Sequence, residues 1–268
     1  MISRLLASVM TLAVLAVVAV PAGAVDLVPH RALYRMTLLS AGSGSGVVAA
    51  TGAMDYRFAR DCDGWTVENR TLLKLIYGGG EETRTAWTFV SWESVDGLGY
   101  RFGTRYEQDG ATVEKLSGTA TLEAPGGTGA ARFASPEDQE MRLPAGTQFP
   151  TSHMRSVLDA AAGGGSTMNR VVFDGATLDN PYKVSAVFGQ LKDEAERELA
   201  ETTKLPTVPG WWLRMAFFPY ASNEALPEFE LSAHYRQDGI ADHIIQDFGD
   251  FALQVRLGEV EVLPAPDC

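Results

Sequence analysis

The sequence predicts an all-β protein built on a large antiparallel sheet. In several segments apolar and polar residues alternate with a period of two, as at Tyr100 and Phe102 against Arg101 and Gly103. Successive side chains of a strand point to opposite faces, so this alternation is typical of strands with one buried and one solvated face. Turn sequences separate these segments, and only one segment has a clear helical period. We expect about a dozen strands on this pattern.

The alternation recurs toward the C-terminus, at Phe229, Leu231, Ala233 and Tyr235 and again at Leu253, Val255 and Leu257. Short turn sequences lie between the alternating segments, and Asp-Gly pairs in such places favour hairpins. These turns are Asp61–Gly64, Asp96-Gly97, Asp109-Gly110, Gly126-Gly127 and Asp238-Gly239.

One short helix is predicted at residues 151–162. Its apolar residues recur at helical spacing, at Met154, Val157, Leu158 and Ala161. Thr151 or Ser152 can cap its start, and Gly163 can end it. The acidic segment 191–201 contains helix-forming residues but little apolar face, so it fits a solvated excursion between strands as well as a helix.

Residues 1–24 have the features of a secretory signal peptide. Arg4 precedes the apolar stretch Leu5–Val20, Pro21 ends it, and Ala22-Gly23-Ala24 has the small residues of a cleavage site. A retained membrane anchor is the alternative, but the stretch is shorter than the roughly 20 residues that span a bilayer. We expect cleavage after Ala24, a periplasmic location, and one domain at residues 25–268 with no transmembrane segment.

Composition excludes several functions. The 22 basic and 34 acidic residues give a net charge of −12, which disfavours binding to nucleic acid or anionic lipid surfaces. With four histidines and two cysteines, the usual spacings of a zinc site are lacking. We therefore predict no metal. The glycine-rich segments 42–46 and 78–80 lack the pattern of a nucleophile elbow and of a phosphate loop, so we also predict no cofactor and no catalytic residue. The opposing carboxylate pair of a glycan hydrolase is a third, less favoured hypothesis, because sequence proximity does not place two carboxylates across a cleft.

Cys62 and Cys268 are the two cysteines of the chain, and Cys268 is its last residue. In an oxidising compartment two such cysteines most often pair, which predicts a long-range disulfide. The alternative is two free thiols.

An aromatic group near residue 215 is the candidate contact site for a ligand or partner. It comprises Trp211, Trp212, Phe217, Phe218 and Tyr220. These side chains could line a groove for a lipid or a peptide, or they could fill the core of a curved sheet. In an extended chain Trp211 and Trp212 point to opposite faces, so one of them is either covered by another element or exposed as a contact.

Taken together, several segments resemble the envelope integrity protein B (EipB) family of alphaproteobacterial periplasmic proteins. They are Pro29–Tyr34, Cys62 with Gly64-Trp65, Val172–Gly175, Met215–Pro219, Leu226–Glu230, Asp247–Phe251 and the terminal Cys268. The resemblance extends over essentially the whole of residues 25–268.

The resemblance implies an antiparallel sheet wound into a spiral or an incompletely closed barrel, with a helix plugging or flanking it. It also implies a disulfide equivalent to Cys62–Cys268 and a role in envelope integrity under stress, with periplasmic helical-repeat proteins as candidate partners. Its motifs carry no catalytic residue. The leading hypothesis is therefore a non-enzymatic envelope protein that acts through protein interactions. The alternative is a periplasmic carrier of a lipid or another apolar ligand.

Overall fold

A computed structural model describes residues 25–137 and 139–268, and the predicted signal peptide lies outside them. In this part of the chain all strands belong to one 15-stranded sheet. The strands are β1 (His30–Ala41), β2 (Val47–Arg60), β3 (Gly64–Tyr77), β4 (Glu82–Ser94), β5 (Gly99–Gln108), β6 (Ala111–Leu122), β7 (Gly129–Ser135), β8 (Glu140–Leu143), β9 (Thr147–Gln148), β10 (Thr167–Val172), β11 (Tyr182–Gln190), β12 (Gly210–Pro219), β13 (Phe229–Arg236), β14 (Ala241–Asp247) and β15 (Phe251–Val262). The helices are α1 (Pro150–Ala162) and α2 (Asp193–Thr203).

The first and last strands lie side by side in the middle of the sheet. From β1 the order runs outward through β2 to β8, and from β15 it runs outward through β14 to β9. Every neighbouring pair is antiparallel except β9 and β10, which are parallel. The pairing of β1 with β15 extends from His30 opposite Val262 to Ala41 opposite Phe251. The predicted antiparallel all-β fold is confirmed.

The sheet curls into a nearly closed barrel around α1. Helix α1 buries Val157, Leu158 and Ala161, which pack in one core cluster. That cluster also contains Trp65 of β3 and Phe188 of β11, strands that lie far apart in the sheet order. A flat sheet could not bring these two strands to one helix, so the spiral or incompletely closed barrel implied by the family resemblance is confirmed.

The predicted turns join consecutive strands. Asp96-Gly97, Asp109-Gly110 and Asp238-Gly239 each connect an antiparallel pair. At the second of these, Asp109 has φ 51° and Gly110 has φ 84°. Positive φ at both central residues is the geometry whose twist matches a two-residue hairpin. The number of strands is larger than expected because the two short edge strands, β8 and β9, have no clear alternation.

The predicted helix at residues 151–162 is confirmed, but its predicted N-cap is wrong. The helix begins with Pro150 after an N-cap Phe149 that makes no side-chain capping bond. Instead, Glu93 of β4 accepts hydrogen bonds from the backbone N–H groups of Thr151 (2.7 Å) and Ser152 (2.9 Å). A long-range carboxylate therefore satisfies the free amides at the start of α1.

The acidic segment, for which the sequence allowed either a helix or a solvated excursion, forms a second helix, α2. Asp193, Glu194 and Glu196 lie in its first turn, where negative charge complements the helix dipole. The Glu196 Oε1 atom also accepts a hydrogen bond of 2.9 Å from the Gly210 backbone N–H. Leu199, a residue of α2, is buried. These tertiary contacts stabilise a helix whose local sequence has a weak apolar face.

Cys62 and Cys268 form the predicted disulfide, with their Cα atoms 5.6 Å apart. Both residues are exposed. Cys62 lies in the turn between β2 and β3, and Cys268 ends the tail that follows β15. The bond thus fixes the C-terminal tail to the hairpin next to β1.

We expect Cys62→Ser and Cys268→Ser each to lower the free energy of unfolding, by up to about 5 kcal/mol in the chain-entropy description of a loop of this size. Thermal denaturation of the oxidised proteins measures the effect, and the double variant should melt like either single variant. If the wild type and the single variants melt alike, the bond contributes nothing to stability.

We also expect Glu93→Ala to lower the free energy of unfolding, because two amide N–H groups of α1 would lose their acceptor. Burial raises the pKa of Glu93, while hydrogen bonds from Ser152 and Thr151 oppose the rise. The native state therefore holds this proton more tightly than the unfolded state. Its contribution to stability is complete at acidic pH and declines as the pH rises toward the raised pKa.

The predicted loss is therefore larger at pH 4.5 than at pH 7.5, and at the acidic pH it should be about 1–3 kcal/mol. Denaturant titration at the two pH values measures it. Glu82→Ala, an exposed residue of the same strand, is the control and should change stability by less than about 1 kcal/mol. A loss that grew with pH would contradict the assignment.

Candidate functional site

The predicted aromatic residues alternate between the two faces of β12. Trp211 is 6% exposed and Trp212 is 41% exposed. Trp211 lies in the core with Leu213 and Met215, so this face of the strand is the interior of the barrel. Phe217 continues the inner face, and its ring packs edge-on against Tyr182. The neighbouring tryptophans thus point to opposite faces, as the sequence requires.

Trp212 lies on the outer face, where it covers a glycine. Its partner in the sheet register is Gly189 of β11, and a Cβ atom at Gly189 would lie within 3 Å of the indole ring. Val187, two residues along β11, is 43% exposed. The indole therefore packs on the backbone of β11 and leaves the rest of its surface free, next to an exposed valine.

Phe218 lines a groove of about 850 Å³ at the seam where the ends of the sheet approach each other. One side of the groove is formed by β10, β11 and β12, and the other by the turns that contain Gly126 and Gly146. The Gly146 backbone N–H donates a hydrogen bond of 2.8 Å to the Gly126 carbonyl oxygen. The lining residues are Pro125, Gly126, Gly146, Gln148, Asn169, Arg170, Val171, Lys183, Val184, Ser185 and Phe218.

The charged residues that line this groove are Arg170 and Lys183, and both are cationic. The Lys183 Nζ atom lies 5.2 Å from the ring centroid of Tyr220, a cation–π contact. The whole chain has a net charge of −12, so the groove is a local reversal of the protein's charge. A groove with an apolar wall and two cations suits a ligand that carries both an apolar part and a negative charge.

Tyr220 lines a second groove of about 940 Å³ beside the edge strand β8. Its charged lining residues are Glu123, Glu140 and Arg142. The predicted contact residues therefore divide among three environments. Trp211 and Phe217 belong to the interior, Trp212 to the outer face, and Phe218 and Tyr220 to the seam.

A histidine pair that the sequence did not reveal lies on β13 and β14. The rings of His234 and His243 stack with centroids 4.7 Å apart. Burial lowers the pKa of His234, and the neighbouring His243 lowers it further. Beside them, the fully buried Asp242 accepts a hydrogen bond of 2.8 Å from the Leu257 backbone N–H. Sequence reasoning missed the pair because a shift in register brings the two histidines together.

The other two histidines of the chain, His30 and His153, are buried. His30 is 3% exposed and His153 is 5% exposed. Burial lowers the pKa of His153 to about 4, and the positive charge of Arg170 contributes to the shift. Burial also lowers the pKa of His30, so burial disfavours the charged form of both side chains. Within residues 25–137 and 139–268, no three histidine, cysteine or acidic side chains are grouped as metal ligands.

The described helices include none that is both long and apolar enough to cross a bilayer. The geometry thus defines a barrel-like β protein with an internal helix and an open seam.

Comparison with known proteins shows the family to which this chain belongs. The EipB-like family model matches residues 21–264, and the chain belongs to this family. The chain is 28% identical over 244 residues to the cell envelope integrity protein EipB of Brucella abortus (strain 2308), covering 90% of this chain and 86% of that protein. A crystal structure of a beta-barrel-like protein of a domain of unknown function from Brucella abortus superposes with a TM-score of 0.82 at 26% identity. That match covers 90% of this chain and all of the other.

Proposed function

We propose that this protein is a non-enzymatic periplasmic protein that supports cell-envelope integrity and stress resistance through contacts with other envelope proteins, with residues 25–268 as its single domain. The observation that carries the proposal is the relationship to the Brucella cell envelope integrity protein, which extends over 90% of the chain. The solved structure from Brucella abortus, which has the same fold and also covers 90% of this chain, supports it.

Export to the periplasm is supported by two independent features. The first is the signal-peptide pattern of residues 1–24, with its cleavage sequence Ala22-Gly23-Ala24. The second is the disulfide between Cys62 and Cys268, both of which are exposed. Exposed disulfides persist in oxidising compartments and are rare in the cytosol.

We assign the partner contact to the outer face around Trp212 and Val187. Partly exposed tryptophans are enriched at protein interfaces, where their large rings contribute much of the binding energy. Arg214 lies two residues from Trp212 on the same face and pairs with Glu230 at 2.7 Å, so the apolar patch has a polar rim. Helical-repeat proteins of the periplasm are the partners that the family resemblance suggests.

Deletion of the gene in the native host should increase sensitivity to detergent, bile salt and cell-wall antibiotics, and expression of the wild-type protein should restore growth. We expect Trp212→Ala to restore growth poorly while folding normally. Leu226→Ala is the matched control, because Leu226 is apolar and 78% exposed but lies in the connection between β12 and β13. Equal growth of the deletion strain and the wild type under all three stresses would contradict the envelope role.

A second candidate function is the binding of an anionic amphiphile, such as a fatty acid or a phospholipid. The seam groove favours it, because Phe218 and Val171 give an apolar wall while Lys183 and Arg170 supply positive charge. The interior is a less suitable place, since α1 and aromatic side chains such as Phe149 and Phe173 occupy it.

Native mass spectrometry of the protein purified gently from the periplasm tests this candidate. The expected result is a mass above that of the denatured chain by a lipid-sized increment, which Phe218→Ala and Lys183→Glu abolish. Lys115→Glu is the control, because Lys115 is exposed on β6 outside the groove. A bare monomer mass, or an increment that survives both groove variants, would count against a ligand at this seam.

A further inference from the structure

The residue that follows the predicted cleavage site is buried and held by a carboxylate of the internal helix. Val25 is 3% exposed, and its side chain belongs to the core cluster that contains Leu158 of α1. Its backbone nitrogen lies 2.7 Å from the Oδ1 atom of Asp159, which is also on α1. The contact joins residues that are 134 positions apart.

Leu27 and Val28, which follow Val25, are also held by tertiary contacts. Leu27 is 4% exposed and packs against the turn at Gly239, where a Cβ atom would lie 2.8 Å from its Cδ2 atom. The Val28 backbone N–H donates a hydrogen bond of 2.9 Å to the Asp238 carbonyl oxygen. The position of the Val25 nitrogen is therefore determined by the fold of the segment that follows it.

Cleavage of the Ala24–Val25 peptide bond changes the chemistry of this nitrogen. Water is added across the bond, so that Ala24 takes the new carboxylate and Val25 takes the new α-amine. An α-amine has an ordinary pKa of about 7.7–8.0, so it is mostly protonated at neutral pH. The amide N–H that donates to Asp159 would then become an ammonium group beside a carboxylate. A hydrogen bond between two such charged groups is roughly twice as strong as a neutral one.

The location of Asp159 in α1 supports the same conclusion. Asp159 lies in the last turn of the helix, which ends at Ala162, and this turn contains no basic residue. A negative charge near a helix C-terminus is unfavourable, because the helix dipole is negative at that end. An α-ammonium at Val25 supplies the missing positive charge at the place where both the carboxylate and the dipole require it.

We propose that cleavage between Ala24 and Val25 creates an α-ammonium group that forms an ion pair with Asp159, so that proteolytic maturation completes the packing of α1 in the barrel. The inference rests on the proposed export of the chain. It assigns a structural reason to the position of the cut, since cleavage one residue earlier or later would displace the charge by about one residue length, roughly 3.8 Å.

The test uses oxidised chains with defined N-termini, released from a fusion partner by a protease that leaves no extra residue. One chain begins at Val25 and the other begins at Ala24, and each is made with Asp159 and with Asp159→Asn. We expect Asp159→Asn to lower the melting temperature by about 3–6 °C in the chain that begins at Val25, and by less than half as much in the other chain. Asp26→Asn, an exposed aspartate next to the amine, is the control and should have little effect.

Reactivity of the α-amine gives a readout that a merely structural role of Asp159 would not change. At neutral pH an amine-acylating reagent should label the Val25 amine slowly in the wild type and at least about ten times faster in Asp159→Asn, since an ion-paired ammonium is a poor nucleophile. Mass spectrometry of the N-terminal peptide measures the label. Equal labelling rates would overturn the ion pair.

N-terminal sequencing of the protein from the periplasm separates the two proposals. If the exported protein begins at Val25 and Asp159→Asn has the same effect in both chains, the ion pair is wrong while export stands. If the exported protein begins at another residue, the maturation inference is overturned although the protein is exported. If no processed protein is found in the periplasm, both proposals fail.

Discussion

The pairing of the first strand with the last is the constraint on which the rest of the structure depends. β1 and β15 lie at the centre of the strand order, and each begins a run of strands that leads outward to one end of the sheet. Without this pairing the chain would form two separate meanders with four edges. With it, the two edges of the sheet in the described residues belong to β8 and β9, which are short strands close together in the chain. Short edges limit unwanted pairing with other chains. The Cys62–Cys268 bond supports the pairing of β1 with β15, because it links the tail after β15 to the turn between β2 and β3.

Helix α1 keeps the joined sheet curled, because it contacts strands from both halves. Its apolar side packs with Phe58 and Trp65 from one half and with Val184 and Phe188 from the other. At its start, the buried Glu93 from β4 binds two amides of the first turn. The helix is therefore fixed in position and in rotation by polar contacts as well as by packing. The seam grooves remain on the outside of the barrel, where Phe218 and Tyr220 reach them.

The strands, the hairpin turns and α1 could be predicted because they depend on local patterns. The alternation at Tyr100 and Phe102 and the apolar spacing of Val157 and Leu158 are readable without knowledge of the fold. The role of Glu93 could not be predicted, because the amides it binds are about 58 residues away in sequence. The seam groove and the histidine pair also depend on long-range register. The five candidate aromatic residues lie on β12 or directly after it. Which of them are exposed could not be predicted, because burial follows from the curl of the sheet.

The central position of β1 has a consequence for how the chain acquires its structure. A chain that emerges N-terminus first exposes β1 at the beginning, whereas its partner β15 emerges near the end. Strands β1 to β8 can pair in sequence as they appear, but one side of β1 stays unpaired until almost the whole chain is available. Structures dominated by such distant contacts form slowly, because the entropy of closing the loop is lost before the contacts are gained. The side of β1 that pairs with β15 therefore stays open for most of synthesis. Correct assembly of this barrel depends on that edge not pairing with another strand during this time.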